Sequence, residues 1–231
     1  LEAAFDDALA DNRIELWLQP KFSPRTNTVV GAEALVRWRG KDSIIIPPIK
    51  FISLLETNGK IKELDEYIYR KVCCYQKRAL TENGKLIPIS VNLSRVSLFS
   101  NSIVRRYSEI ANKYGISRKY LPIEITESAT INDVKSAETI RRFHLEKFPI
   151  HLDDFGAGYS SLANLTSSSF NTIKLDKTLI DNISRERGAK LLKHIVSLAK
   201  DLNISVTAEG VEEASQKDFL TEDGGRTFLY G

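Results

Sequence analysis

Strand and helix alternate along most of this 231-residue chain, and that alternation constrains the fold more than any other feature of the sequence. Apolar periodicity predicts strands over 14–19, 28–38, 87–92, 121–126, 149–153, 171–175, 204–208 and 226–230. From 87–92 onward, helical segments follow near 102–114, 132–147, 177–200 (with a break around Gly188) and 213–222. Such alternation builds a parallel sheet, and eight strands suffice to close one into a barrel. The first pair departs from the pattern. Only Pro20 to Asn27 lies between Gln19 and Thr28, fewer than the roughly dozen residues of a parallel crossover, so strands one and two are expected to form an antiparallel hairpin. Pro47-Pro48 stops the chain after strand two, and helices are expected over 49–57 and 60–80. No repeat, low-complexity tract or linker interrupts the sequence, which predicts one domain over residues 1–231.

Composition removes several functional classes. At 42% hydrophobic and 27% charged residues the chain can bury a core, which excludes disordered, collagen-like and coiled-coil classes. Its 33 basic and 30 acidic residues leave a formal charge of +3, and the basic runs are pairs such as Arg105-Arg106 and Arg141-Arg142. That is no footprint for duplex nucleic acid. No segment approaches the ~18 apolar residues of a membrane span, and Leu1-Glu2 opens into charged, helix-like sequence in place of a signal peptide, so a soluble, cytoplasmic domain without membrane contact is expected. Cys73 and Cys74 are adjacent within a helical pattern and are expected to be reduced packing residues. The absence of methionine, even at position 1, predicts a domain cut from a longer polypeptide.

Barrel enzymes carry their reactive groups at the C-terminal ends of strands. Here strand two carries Glu33, strand three ends at Asn92, strand four carries Glu124 and Glu127, strand five ends in Asp153-Asp154, strand six in Lys174 and strand seven in Glu209. Carboxylates and one amide around a single mouth repel one another unless positive charge lies between them. Hard oxygen donors without clustered Cys or His point to Mg²⁺ or Mn²⁺, not zinc. The adjacent aspartates suit a pair of cations, one carboxylate bridging both, which fits attack of water on a phosphodiester. Lys174 could position or deprotonate that water, or stabilise charge on phosphate oxygens.

Each residue alone has an ordinary explanation: Glu33 as a solvent-facing strand residue, Asn92 as a turn, Asp153-Asp154 as a cap on the following glycine loop. Their joint placement at six strand ends favours a site. His144, His151 and His194 lack ligand spacing and are expected to be ordinary surface or core residues. Gly156-Ala157-Gly158 lacks phosphate-loop spacing and is expected to be a mobile loop over the site. Trp17, Tyr69 and Tyr75 are expected to pack.

These residues resemble the EAL domain family, which hydrolyses the bacterial second messenger cyclic di-GMP. The likeness rests on Leu18-Gln19-Pro20, Glu33-Ala34-Leu35-Val36-Arg37-Trp38, Pro47-Pro48 with Phe51-Ile52, Val91-Asn92-Leu93-Ser94, Glu124-Ile125-Thr126-Glu127-Ser128, Asp153 to Leu162, Ile173-Lys174-Leu175-Asp176 and Ala208-Glu209-Gly210-Val211-Glu212, in the family's order and spacing. The resemblance implies a modified eight-stranded, TIM-like (β/α)8 barrel with an antiparallel first strand. It implies that Glu33, Asn92, Glu124 and Asp153 hold a first Mg²⁺ or Mn²⁺, that Asp153, Asp154 and Glu209 serve a second, and that Lys174, with Glu33 and Glu209, handles the attacking water. Gln19, Leu35 and Arg37 match residues that touch the substrate, while Glu127 and Glu212 match residues supporting the site and its loop. The implied product is linear pGpG. The segment from Asp154 to Leu162 looks like the family's element coupling the site to homodimer formation, and flanking sensory or GGDEF-type domains are implied in the full-length protein.

The C-terminus departs from the family. Members usually carry Gln-Gly before an aromatic-Leu-aromatic-small run, whereas here Gly224-Gly225-Arg226-Thr227 leads directly into Phe228-Leu229-Tyr230-Gly231. The missing glutamine bears on substrate placement more than on metal binding. Asn171 stands where an aspartate is common. An active phosphodiesterase, a domain that holds cyclic di-GMP or a protein partner without cleaving it, and a hydrolase for another dinucleotide all stay open from the residues; the intact carboxylate set favours the first.

Overall fold

The short connection after β1 (Ile14–Phe22) returns the chain antiparallel along β2 (Val29–Arg39), as the eight residues from Pro20 to Asn27 require. Gln19 pairs with Glu33 and Lys21 with Gly31, and the register shifts at Phe22. The computed structural model describes residues 2–130, 134–157, 165, 170–222 and 227–230. Beyond the hairpin, β4 (Ile89–Asn92), β5 (Ile123–Thr126), β6 (Ile150–Phe155), β7 (Thr172–Leu175), β8 (Ser205–Ala208) and β9 (Thr227–Tyr230) run parallel to β2 and to one another. β9 then pairs antiparallel with β1, Lys21 against Tyr230, so an eight-stranded ring closes in the order β1-β9-β8-β7-β6-β5-β4-β2. This is the barrel the alternation predicts, antiparallel first strand included. A ninth strand, the two-residue β3 (Ile45–Ile46), lies outside the ring against the end of β2 and is too short for periodicity to reveal.

Helices cover the outside. α1 (Glu2–Ala10) precedes the barrel, and α2 (Ile52–Thr57) and α3 (Ile61–Asn83) follow the Pro47-Pro48 stop. α4 (Arg95–Leu98), α5 (Ile103–Tyr114), α6 (Glu127–Thr130), α7 (Val134–Leu145), α8 (Lys177–Asp181), α9 (Glu186–Asp201) and α10 (Ala214–Glu222) alternate with the parallel strands. In α3, Ile61, Leu64, Ile68, Tyr69 and Val72 recur at helical spacing and are buried. The strands alternate strictly. Ile89, Val91, Ile123, Ile125, Ile150, Leu152, Ile173, Leu175, Val206 and Ala208 are buried in the apolar core, while the residues between them are polar. Trp38 of β2 anchors the core between Phe5 and Phe51 in edge-to-face contacts with ring centroids 6.0 and 5.4 Å apart.

The 177–200 helix breaks earlier than expected. A 3₁₀ turn at Asn182–Ser184 separates α8 from α9, and Gly188 lies inside α9. A Cβ on Gly188 would meet the Asn182 carbonyl oxygen at 2.1 Å, so glycine there permits a close backbone approach and does not end the helix. Tyr69 packs as expected, stacked on Tyr107 at 3.9 Å, but Tyr75 is exposed. The two cysteines also divide: Cys73 is buried, its thiol pushed up to about 12 chiefly by burial, whereas Cys74 is exposed and does not pack; both are free. Among the described residues no helix is long and apolar enough to cross a membrane.

Candidate active site

Alternation along the strands sets the site. Because Ile123 and Ile125 face the helices, Glu124 must face the barrel interior, and the same period turns Asn92, Asp153, Lys174 and Thr207 inward. In β2, Ala34 and Trp38 face the core, so Glu33, Leu35 and Arg37 share the opposite face, across from Gln19, Trp17 and Glu15 of β1. Glu33, Asn92, Glu124, Asp153, Lys174 and Glu209 thereby arrive from six strands or strand ends.

Four of these carboxylates close on one ammonium. Lys174 Nζ lies 3.0 Å from Glu33 Oε2, 2.9 Å from Glu124 Oε2, 2.9 Å from Asp153 Oδ1 and 2.8 Å from Glu209 Oε1. Asn92 Nδ2 donates to the other oxygen of Glu33 at 2.8 Å. Lys174 is 1% exposed and Glu124 1% exposed, so the cluster is desolvated and its electrostatics are strong. Burial alone would depress the Lys174 pKa, but Glu124, Asp153, Glu33 and Glu209 hold it well above the usual lysine value. Burial also drives the Glu33 carboxyl up, with Glu124 adding to it and Lys174 opposing, to about 7. Burial raises Glu209 and Asp154 as well. Glu124 behaves oppositely: against the cost of burial, Lys21 and Lys174 hold it well below the usual carboxylate range. These four carboxylates favour the charged form of Lys174, an arrangement suited to positioning water or stabilising charge on phosphate oxygens.

Asp153 and Asp154 sit at a register shift between β6 and β7, and Asp154 adopts φ 56°. A left-handed backbone at a residue other than glycine stores strain, and here it accompanies the irregularity that carries both aspartates, with Asp153 Oδ1 accepting the Asp154 amide at 2.9 Å and the Asp154 side chain exposed. Glu127 opens α6 and is buried. Glu212 is exposed and pairs with Lys177 at 2.8 Å, tying the loop after β8 to α8; it lies at the rim, outside the carboxylate cluster. Arg37 and Leu35 border a cavity of about 260 Å³ together with Asn92 and Asp65. Asp65 accepts from the Ser94 amide at 3.1 Å and its hydroxyl at 2.6 Å, fixing the turn that presents Asn92. Trp17 does not pack as expected: it is 47% exposed, on the face of β1 that carries Gln19, with the Arg37 guanidinium 5.5 Å from its ring centre.

Two inward residues escaped the sequence reading. His151, expected to be ordinary, lies inside the barrel with Nδ1 3.5 Å from Glu124 Oε1, and burial lowers its pKa while Glu124 opposes the shift. Lys21 reaches Glu124 Oε1 at 2.9 Å. Period two signals both: His151 is two residues before Asp153, and Lys21 two after Gln19. Most of the loop from Asp154 to Leu162, with Gly158, lies outside the described residues, as do residues 223–226 and the side chains of 227–230 on which the missing glutamine bears.

Among the described residues no three acidic or histidine side chains form a ready cage for a cation; they converge instead on Lys174. The donor set nevertheless fits a hard divalent ion. It consists of carboxylate oxygens with an amide at the edge, and three of the carboxyls are pushed up chiefly by burial, with neighbouring carboxylates adding to it, a cost that a bound cation would offset.

A closed α/β barrel with an acidic mouth defines the class, and comparison with known proteins gives the family. The model of the EAL domain matches residues 2–225, so the chain belongs to the EAL domain family. It is 37% identical over 214 residues to an uncharacterized signaling protein of Caulobacter vibrioides, covering 92% of this chain and 26% of that protein. It is 33% identical over 226 residues to the cyclic di-GMP phosphodiesterase PdeR of Escherichia coli strain K12, covering 97% of this chain and 34% of PdeR. The solved structure of the PaMucR phosphodiesterase in complex with c-di-GMP superposes with a TM-score of 0.89 at 29% identity, covering 100% of this chain and 94% of that one. The chain thus spans about a quarter to a third of these two curated relatives.

Proposed function

We propose that this domain hydrolyses one phosphodiester bond of cyclic di-GMP to give linear pGpG, with two divalent cations, Mg²⁺ or Mn²⁺, at the barrel mouth. The observation that carries the proposal is the convergence of Glu33, Glu124, Asp153 and Glu209 on a single buried ammonium. Glu33, Asn92, Glu124 and Asp153 would hold one ion and Asp153, Asp154 and Glu209 the other; when bound, such ions polarise a phosphodiester and acidify an attacking water. Lys174, kept protonated, donates to that water or to a phosphate oxygen, and Glu33 and Glu209 complete the group that handles it. Arg37 offers a guanidinium to a phosphate, the cavity it borders with Leu35 has room for part of a nucleotide, and Gln19, beside Glu33 on the same face, offers an amide to the substrate. Glu127 and Glu212 support the site from behind and from its rim.

The likeness to PdeR and to the c-di-GMP complex of PaMucR supports this substrate. The short share of each relative that is covered supports a single domain within a longer signalling protein carrying sensory or GGDEF-type domains. Two free cysteines suit the reducing cytoplasm. Homodimer formation belongs to the same reading. One observation favours a second reading, a receptor that binds without cleaving: the carboxylates already share an internal cation.

The test is incubation of the purified chain with cyclic di-GMP and Mg²⁺ or Mn²⁺, following pGpG by chromatography. Product that requires both the metal and Glu33, as shown by Glu33→Ala, is the expected result. Product formed equally without either would sink the site assignment, and bound but uncleaved substrate would establish the receptor.

A further inference from the structure

Lys21 is a buried lysine, 7% exposed, at the floor of the barrel, opposite to the mouth. It arrives there because β1 runs antiparallel: Gln19 lies beside Glu33, while two residues later Lys21 lies beside Gly31, near the start of β2. The lysine stem passes Gly31 in ordinary contact, since a Cβ there would sit 3.8 Å from Lys21 Cδ, whereas the Pro88 carbonyl oxygen would crowd it at 3.0 Å. The ammonium donates to Ser90 Oγ at 2.8 Å and to Glu124 Oε1 at 2.9 Å. The second oxygen, Oε2, accepts from Lys174 at 2.9 Å. One fully buried carboxylate is therefore held between two ammoniums, one on each oxygen. They are not equivalent. Lys174 is shared with Glu33, Asp153 and Glu209, whereas Lys21 approaches from the side away from the mouth and is itself steadied by Ser90.

We propose that Lys21 is a positioning residue, anchoring Glu124 by Oε1 so that Oε2 is presented toward the mouth as a charged ligand even when Lys174 turns to the water or the phosphate. Lys21 touches neither substrate nor reacting atoms in this role; it acts through Glu124. The inference rests on the cation-dependent hydrolysis proposed above.

The experiment is Mn²⁺ titration of the purified chain without substrate, reading the free-ion signal by electron paramagnetic resonance, for wild type, Lys21→Met, Glu124→Gln and the double variant. Near-UV circular dichroism confirms folding, and Lys21→Gln replaces the methionine variant if that does not fold. Loss of a residue that orients a metal ligand weakens affinity by about 10–100-fold, and that is the change expected for Lys21→Met. Added to Glu124→Gln, the same substitution is expected to change affinity by less than about threefold, because the ligand it orients is gone. Unchanged affinity in Lys21→Met would overturn the proposal. So would tighter binding, the result if Lys21 only repelled the ion, or an equal loss with and without Glu124. Absence of Mn²⁺ uptake by the wild-type chain would overturn the cation-dependent function itself and this inference with it, whereas uptake untouched by Lys21→Met overturns this inference alone.

Discussion

The two faces of the same short strands do opposite things. Toward the helices, Ile123, Ile125, Ile150, Leu152, Ile173 and Leu175 are fully buried and apolar. Toward the axis, the residues between them are Glu124, His151, Asp153, Thr172 and Lys174. A typical barrel of this kind fills its interior with branched aliphatic side chains. This one packs its stability outside the ring and keeps charge inside it, so the strands hold in place a set of carboxylates that would otherwise separate. Stability and function are thus divided by a single residue of register.

The division can be broken at its centre. Lys174→Met removes the shared cation, and leaving buried carboxylates unpaired is expected to cost ~3–5 kcal/mol in EDTA, with pGpG formation lost; Mn²⁺ should restore much of the stability but not the turnover. Equal melting in EDTA and Mn²⁺ would show that the inner face does not rely on cations. On the outer face, Ile125→Ala should lose ~2–4 kcal/mol in urea unfolding while turnover per folded molecule stays within about twofold of wild type. A large loss of turnover in fully folded protein would show that the faces are not separable. The smallest change is expected from Glu33→Gln. The Glu33 carboxyl is raised from 4.5 to about 7, so the folded state favours its neutral form, and stability falls as pH rises through that window. The glutamine variant escapes this fall. In EDTA it should be more stable than wild type at pH 8, by ~1–3 kcal/mol, and show no such gain at pH 4, as read by thermal melting.

Strand ends were legible because motifs and period agree there: Asn92, Glu124, Asp153, Lys174 and Glu209 stand where a barrel places reactive groups, and the structure gathers them. The antiparallel hairpin was legible from the length of one connection. Lys21 and His151 were not, because attention to strand ends misses the floor, and a lysine on β1 reveals its partner Glu124 only once the ring closes. Trp17 was misjudged for a related reason: an aromatic in a strand usually packs, and only the register with Leu35 shows that its face opens on the mouth. The position of Gly188 depended on a contact with Asn182 that spacing does not encode.

The seam between β1 and β9 joins Lys21 and Phe22 to Tyr230 and Leu229, bringing together the first and last strands of the ring. During synthesis this makes the barrel's last bond its longest-range one, since β1 leaves the ribosome first and must wait for β9. Until then β1 and β8 keep open edges, which invite pairing with other chains. Lys21 sits at that seam, so the ring around the floor beneath Glu124 closes only once β9 has been made.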